Sequence, residues 1–153
     1  MDNINPDILL EAYMQGIFPM SDGRKDPNID WYDPSKRGVL PLNRFHVSRR
    51  LARTIRNETY RISVDTYFNQ IIKECAKPRP GRSKTWINET IINAYTQLYE
   101  RGHAHSIECW NENELAGGLY GISIGAAFFG ESMFSAQRDA SKVALVYLVA
   151  RLR

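Results

Sequence analysis

Apolar positions first recur at helical spacing in "NPDILLEAYMQG", which opens with Asn5 as cap and Pro6 at the first helical position and closes on Gly16. Pro19 forces the following "GIFPM" out of that helix. Residues 21 to 36 read as a polar loop around an Ile-Asp-Trp-Tyr segment, and "RGVLPL" predicts a short edge strand. Ser48 is the expected cap of an Arg-rich helix ending near Arg56. Beyond it "YRISV" alternates as a strand, and Asp65 is the expected cap of a helix that turns Phe68, Ile71, Ile72 and Cys75 to one side. "KPRPGRSK" is a basic loop broken by two prolines. "NETIINAYTQLYERG" then runs from the cap Asn88 to the stop Gly102, with Ile91, Ile92, Tyr95, Leu98 and Tyr99 as its apolar stripe. Three strand-like runs follow, "AHSIECW", "LAGGLYGISI" and "AAFFGESMF". Their short connections predict an antiparallel meander, and Ser141 or Asp139 can cap a last helix, "SKVALVYLVARLR".

This order predicts an α+β fold, with a small N-terminal module over residues 1–47, an Arg-rich linking helix over 48–59 and a main domain over 60–153. An amphipathic helix after an antiparallel sheet normally leads to another strand, so the domain is expected to be incomplete. At 153 residues, 43% hydrophobic and 24% charged, the chain can bury a core. No window approaches a membrane span, and a cytoplasmic, monomeric protein is expected. Cys75 and Cys109 fall in apolar patterns without a CxxC, which predicts buried free thiols.

The net charge of +3 conceals two basic clusters. One lies on the Arg-rich helix and includes Arg49, Arg50 and Arg53. The other occupies the broken loop, with Lys77, Arg79, Arg82 and Lys84. Such clusters can meet a polyanion, or they can be solvated faces.

Candidate chemistry is sparse. His103 and His105 would share one side of a strand, but two imidazoles without further ligands make a weak zinc site. Neither Ser132 nor Cys109 lies in a nucleophile elbow, and "GGLYG" precedes a strand rather than a helix, as no phosphate loop does. The aromatic residues carry more information. Trp31 and Trp86 fall in expected loops, where a large ring needs a pocket or a ligand to stack on. Strict alternation in "FFGESMF" would place Phe129, Glu131 and Met133 on one face and Phe128, Gly130, Ser132 and Phe134 on the other. An apolar cavity walled by Met and Phe, with the carboxylate of Glu131 at its edge, would suit a substrate bearing an apolar side chain and an amino group. A structural ion pair between Glu131 and an Arg or Lys is the competing reading.

Eight ordered segments carry a family resemblance: "AYMQGIFPM", "WYDPSKRGVLPL", "FHVSRRLARTIR", "TWINETIINAY", "GHAHSIECW", "ELAGGLYG", "FFGESMFS" and "DASKVAL". Together they resemble the bacterial leucyl/phenylalanyl-tRNA–protein transferases. The resemblance implies a GNAT-like acyltransferase domain behind a small N-terminal domain. It also implies transfer of Leu, Phe or, less well, Met from aminoacyl-tRNA to proteins with N-terminal Arg or Lys, marking them for degradation, with no cofactor. By the same resemblance Phe128, Phe129, Met133 and Phe134 look like walls of the aminoacyl pocket. Trp31, Trp86 and Tyr95 look like part of the cleft for the 3′ adenosine, and Glu131 looks like a supporting polar group. The family's Asp-x-Gln motif, proposed to assist the attacking amine, is not present in this sequence. An inactive remnant that binds tRNA is therefore the alternative. A coenzyme A-dependent N-acyltransferase ranks lower, because "SAQRDASK" is no pyrophosphate loop.

Overall fold

A computed structural model of the chain describes residues 4–153. The first helix, α1 (Pro6–Met14), starts where the Asn5 side chain accepts from Asp7 N, and the chain leaves it through Gly16 at φ +82°. A two-stranded ribbon follows, β1 (Phe18–Met20) antiparallel to β2 (Asp30–Tyr32). The predicted strand in "RGVLPL" does not form. The partner of the segment after α1 is instead the Asp-Trp-Tyr run, so Trp31 lies in a strand rather than a loop. Helix α2 (Arg49–Arg56) is capped by Ser48, whose Oγ accepts from Leu51 N.

The main sheet is antiparallel, in the order β3 (Arg61–Val64), β4 (Ala104–Asn111), β5 (Glu114–Ile124) and β6 (Ala127–Ser135), with β6 at an edge. The predicted meander is present, and each of its hairpins turns through two residues with a positive φ, at Glu112 and at Gly125. Helices α3 (Phe68–Cys75) and α4 (Glu89–Glu100) connect β3 to β4, and α5 (Ala140–Leu152) follows β6. Asn88 caps α4 as expected, with Oδ1 accepting from Ile91 N at 2.9 Å.

Two expected caps are replaced by other groups. Asp65 does not cap α3: at φ +53° its carboxylate turns back to accept from Ser106 N and to pair with His105 Nδ1, each at 2.8 Å. The first turn of α3 is met instead by the buried Glu108 of β4, which accepts from Tyr67 N. At α5 the Asp139 side chain makes no capping bond, and Ser135 Oγ accepts from Ser141 N.

The sheet divides the interior in two. Against one face pack α1, α3 and α4, with Leu9, Phe68, Ile71, Ile72, Ile91, Tyr95 and Leu98 fully or almost fully buried. Against the other pack α5 and α2, through Leu51, Leu119, Val143, Ala144 and Leu148. Adjacent glycines let both layers approach β5. A Cβ on Gly118 would lie 2.5 Å from Ile71 Cδ1, and one on Gly117 would lie 2.7 Å from Ala140 Cβ.

Strict alternation fails in β6. Tyr120 opposes Ser132 and Gly121 opposes Gly130, which leaves Glu131 as the extra residue of a bulge. The phase slips by one at that point. Phe129, Glu131 and Phe134 consequently share the face of α1, α3 and α4, whereas Phe128 lies on the α5 face and Met133 opposes Leu119 of that face. The predicted grouping of Met133 with Phe129 and Glu131 is thus corrected.

Candidate functional site

The bulge sets Glu131 beside two tyrosines from different helices. Tyr95 of α4 donates to Glu131 Oε2 at 3.4 Å, and its hydroxyl is also in a short hydrogen bond with the Tyr13 hydroxyl of α1. Rings interlock around this chain of hydroxyls. Tyr13 meets Phe129 edge-on at 5.3 Å between centroids, and Tyr95 meets Tyr120 edge-on at 5.8 Å. The Tyr120 hydroxyl is buried without a partner among the described residues. Burial pushes the Glu131 carboxyl up to about 7, against the lowering effects of the Tyr13 and Tyr95 hydroxyls and of the Arg37 charge. Burial likewise raises Tyr13, Tyr95 and Tyr120, so these hydroxyls stay protonated and can donate.

Glu131 forms no ion pair within 4.0 Å among the described residues, so the competing reading of a lysine or arginine partner is not what the geometry shows. It remains half-buried, and the neighbouring Gly130 faces open space. The arrangement is a carboxylate held by phenols, with a proton affinity near neutrality and one side accessible.

The sequence-predicted site residues fall into three groups. Tyr95, Phe129, Phe134 and Glu131 are together on the α4 face, and Phe134 lies beneath the Arg79 guanidinium at 4.9 Å. Trp86 packs at the margin of that core, and its carbonyl accepts from both the backbone N and the Oγ of Ser21, just after β1. Trp31 is 43% exposed in β2, opposite Pro19 of β1, and is not part of that core.

Phe128 and Met133 belong to the opposite face. There the sheet and the C-terminal half of α5 border a half-open cavity of about 150 Å³. Val64, Ile107, Leu119, Phe128 and Leu148 give it apolar walls, and Arg151 and the Asp65–His105 pair stand among its polar lining. One enclosure containing all four predicted Phe and Met walls does not exist, because the bulge sends them to two sides of the sheet.

The basic clusters also differ in character. Arg49 and Arg53 are exposed on α2 without ion pairs among the described residues, and Arg50 reaches Asp139 at 3.5 Å. In the loop after α3, Lys77 and Arg79 both pair with Glu74, the latter at 3.1 Å. Arg82 donates to Cys75 O at 2.7 Å and so closes the end of α3. Lys84 is exposed. Most of this loop's charge is therefore engaged in holding the loop.

Sequence reading missed Tyr13, Arg37, Leu119 and Leu148. Tyr13 lies on the apolar stripe of α1, where a phenol is indistinguishable from core, and Leu119 and Leu148 look like ordinary core residues. Arg37, whose guanidinium lies 5.0 Å from the Phe18 ring centroid, had a signal only in its place within "WYDPSKRGVLPL". Among the described residues no group of three or more His, Cys, Asp or Glu is placed to hold an ion, and His105 Nδ1 is engaged with Asp65. Burial pushes both cysteine thiols up to about 12, away from reactivity. No helix among the described residues is long and apolar enough to cross a membrane.

Comparison with known proteins places these features in a family. A sequence profile described as leucyl/phenylalanyl-tRNA protein transferase matches residues 39–153, and the profile of that family's N-terminal domain matches residues 2–35. Among curated relatives, the leucyl/phenylalanyl-tRNA–protein transferase of Maricaulis maris (strain MCS10) is 56% identical over 145 residues, covering 95% of this chain and 67% of its own length. That of Caulobacter vibrioides (strain NA1000 / CB15N) is 58% identical over 151 residues, covering 99% and 70%. That of Afipia carboxidovorans (strain ATCC 49405 / DSM 1227 / KCTC 32145 / OM5) is 56% identical over 149 residues, covering 97% and 66%, so this chain spans about two thirds of the length of such relatives. Matched by the profile over most of its length and more than half identical to these transferases, the chain belongs to the leucyl/phenylalanyl-tRNA–protein transferase family, whose members are aminoacyltransferases.

Proposed function

We propose that the protein takes Leu, Phe or, less well, Met from aminoacyl-tRNA and transfers it to the N-terminal Arg or Lys of a protein, which is thereby marked for degradation. It acts as a cytoplasmic monomer, with a module over 1–47, a linking helix over 48–59 and a GNAT-like domain from 60 onward. The observation that carries the reading is the two-sided strand β6. Its α5 face borders a cavity of mixed lining whose apolar wall includes Phe128, and its other face presents a tyrosine-held carboxylate at Glu131.

The chemistry asks little of the protein beyond placement. The acceptor's α-amine attacks the ester carbonyl, a peptide bond forms, and the ester C–O bond breaks. The amine's surplus proton passes, directly or through water, to the tRNA's 3′ oxygen, which leaves as a hydroxyl. The apolar side chain of the aminoacyl group enters the cavity beside Leu119, Phe128 and Leu148. Met133, 42% exposed, does not line the cavity but pairs across the ladder with Leu119, which does, and is an adaptable side chain on the same face. Discrimination by such apolar fit is worth only ~1–3 kcal/mol per methylene, which suits acceptance of Leu, Phe and Met together. Glu131, with Tyr95 beside it and Trp86 at the edge of the same core, supports the end of the substrate that carries the amine and the 3′ adenosine, and Trp31 offers an exposed ring to that adenosine. Arg49, Arg50, Arg53, Lys77, Arg79, Arg82 and Lys84 meet phosphates, with Arg79 and Arg82 doing so from positions already fixed by the loop.

The test is a transfer assay with labelled Leu-tRNA or Phe-tRNA and peptides that begin with Arg or with Asp. Label appearing on the Arg peptide alone, and falling with Phe128→Ala more for Phe than for Leu, is the expected result. Binding of tRNA without any transfer would reduce the role of this chain to tRNA binding.

A further inference from the structure

Four charged side chains from two segments meet where α5 begins. Asp139, held at φ +62°, has a carboxylate only 7% exposed. Around it stand Lys142 Nζ at 3.0 Å, Arg50 at 3.5 Å and Arg138 Nε at 3.9 Å, with side chains 60%, 60% and 77% exposed. One nearly buried carboxylate thus gathers three cations whose outer sides face water. The backbone beneath them is fixed: Tyr60 donates to Arg138 O at 2.7 Å, Asn111 Nδ2 donates to Gln137 Oε1 at 2.8 Å, and Ser135 Oγ accepts from Ser141 N at 3.1 Å.

An isolated surface ion pair needs one cation for one anion and contributes about 0–1 kcal/mol. Three cations on one carboxylate repel each other, and the excess positive charge is best met by a further anion. Arg49 and Arg53 of α2 continue the same field without ion pairs among the described residues. A run of such groups fits a series of phosphates better than a single carboxylate ligand.

We propose that Arg138 and Lys142, gathered with Arg50 by Asp139, extend the α2 surface across the start of α5 as a binding surface for the phosphate backbone of tRNA. This rests on the tRNA reading above and adds residues to it. Asp139 is the positioning group, and the three cations meet the phosphates.

The 153-residue chain is titrated into fluorescent, uncharged tRNA at a series of salt concentrations, and log affinity is plotted against log salt. For the double variant Arg138→Gln, Lys142→Gln the slope is expected to shrink by roughly 0.7–0.9 for each phosphate that is no longer neutralised. Arg101→Gln, which removes a cation paired with Asp7 at the end of α4, is expected to leave the slope unchanged. Tight binding by the unaltered chain with no change of slope in the double variant would overturn the proposal. An equal fall with Arg101→Gln would overturn it too, since the slope would then follow net charge alone. Failure of the unaltered chain to bind tRNA at any salt would instead sink the tRNA reading itself.

Discussion

The two faces of the sheet are built on different terms. The face under α1, α3 and α4 is filled by interlocked rings, with polarity gathered at the hydroxyls beside Glu131 and at the fully buried Glu108, which accepts from Ser63, Ser106 and Tyr67 N. The face under α5 has fewer buried side chains and keeps a half-open cavity beside Phe128 and Leu148. The contrast separates precision from accommodation. A closed face can hold a carboxylate at a fixed point, and a looser one can take side chains of different shape.

The largest expected effect comes from emptying the closed face. Leu98→Ala, at a fully buried position of α4, should cost about 2–5 kcal/mol in denaturant unfolding, and Leu148→Ala, which already borders a void, should cost clearly less. Equal losses would erase the distinction between the faces. Next in size is Tyr95→Phe, which leaves Tyr13 and Glu131 short of a partner and should cost about 1–3 kcal/mol. Tyr120→Phe removes a hydroxyl with no partner and should be neutral or stabilising, so the same chemical change one ring away sharpens the test.

A third effect lies in pH. Glu131 binds its proton more tightly when folded, at about 7 against an ordinary 4.5. Its contribution to stability is therefore fully present below about pH 4.5 and is lost as pH rises through about 7. The groups facing it are Tyr13 of α1, Tyr95 of α4, Tyr120 of β5 and the Arg37 charge. Glu131→Gln should remove this decline, which is at most about 1.4 kcal/mol per pH unit. An identical pH profile in the variant would show that the carboxylate is solvated. The smallest effect belongs to Met133→Ala, at an exposed position of the α5 face, which should shift stability by less than about 0.5 kcal/mol. In the transfer assay it should weaken Met and Phe substrates, because its partner across the ladder, Leu119, lines the cavity.

Much of the fold was legible because its signals are local. The caps Asn5, Ser48 and Asn88, the stops Gly16 and Gly102, and the meander all follow from short-range pattern. Where prediction failed, the winning partner was remote. Asp65 was lost to β4, and "RGVLPL" was lost to a pairing between "FPM" and "DWY". In the candidate site Glu131 and Tyr95 stood out, but Tyr13 did not, because nothing in sequence links α1 to a bulge more than a hundred residues away. The division of the Phe and Met residues between two faces depends on that bulge, and alternation has no means of announcing it.

The bulge at Glu131 also gives β6 one residue more than its ladder needs. Upstream of it odd positions point toward α4, and downstream even ones do, so the two halves of the strand are written in opposite parity. Deleting Glu131 would make the separation of Phe129 from Phe134 even and restore a regular ladder with both rings still in the cluster. What the deletion would take away is the carboxylate beside Tyr95. The extra residue thus serves neither the ladder nor the ring cluster, and its structural effect is to turn a carboxylate toward the phenols.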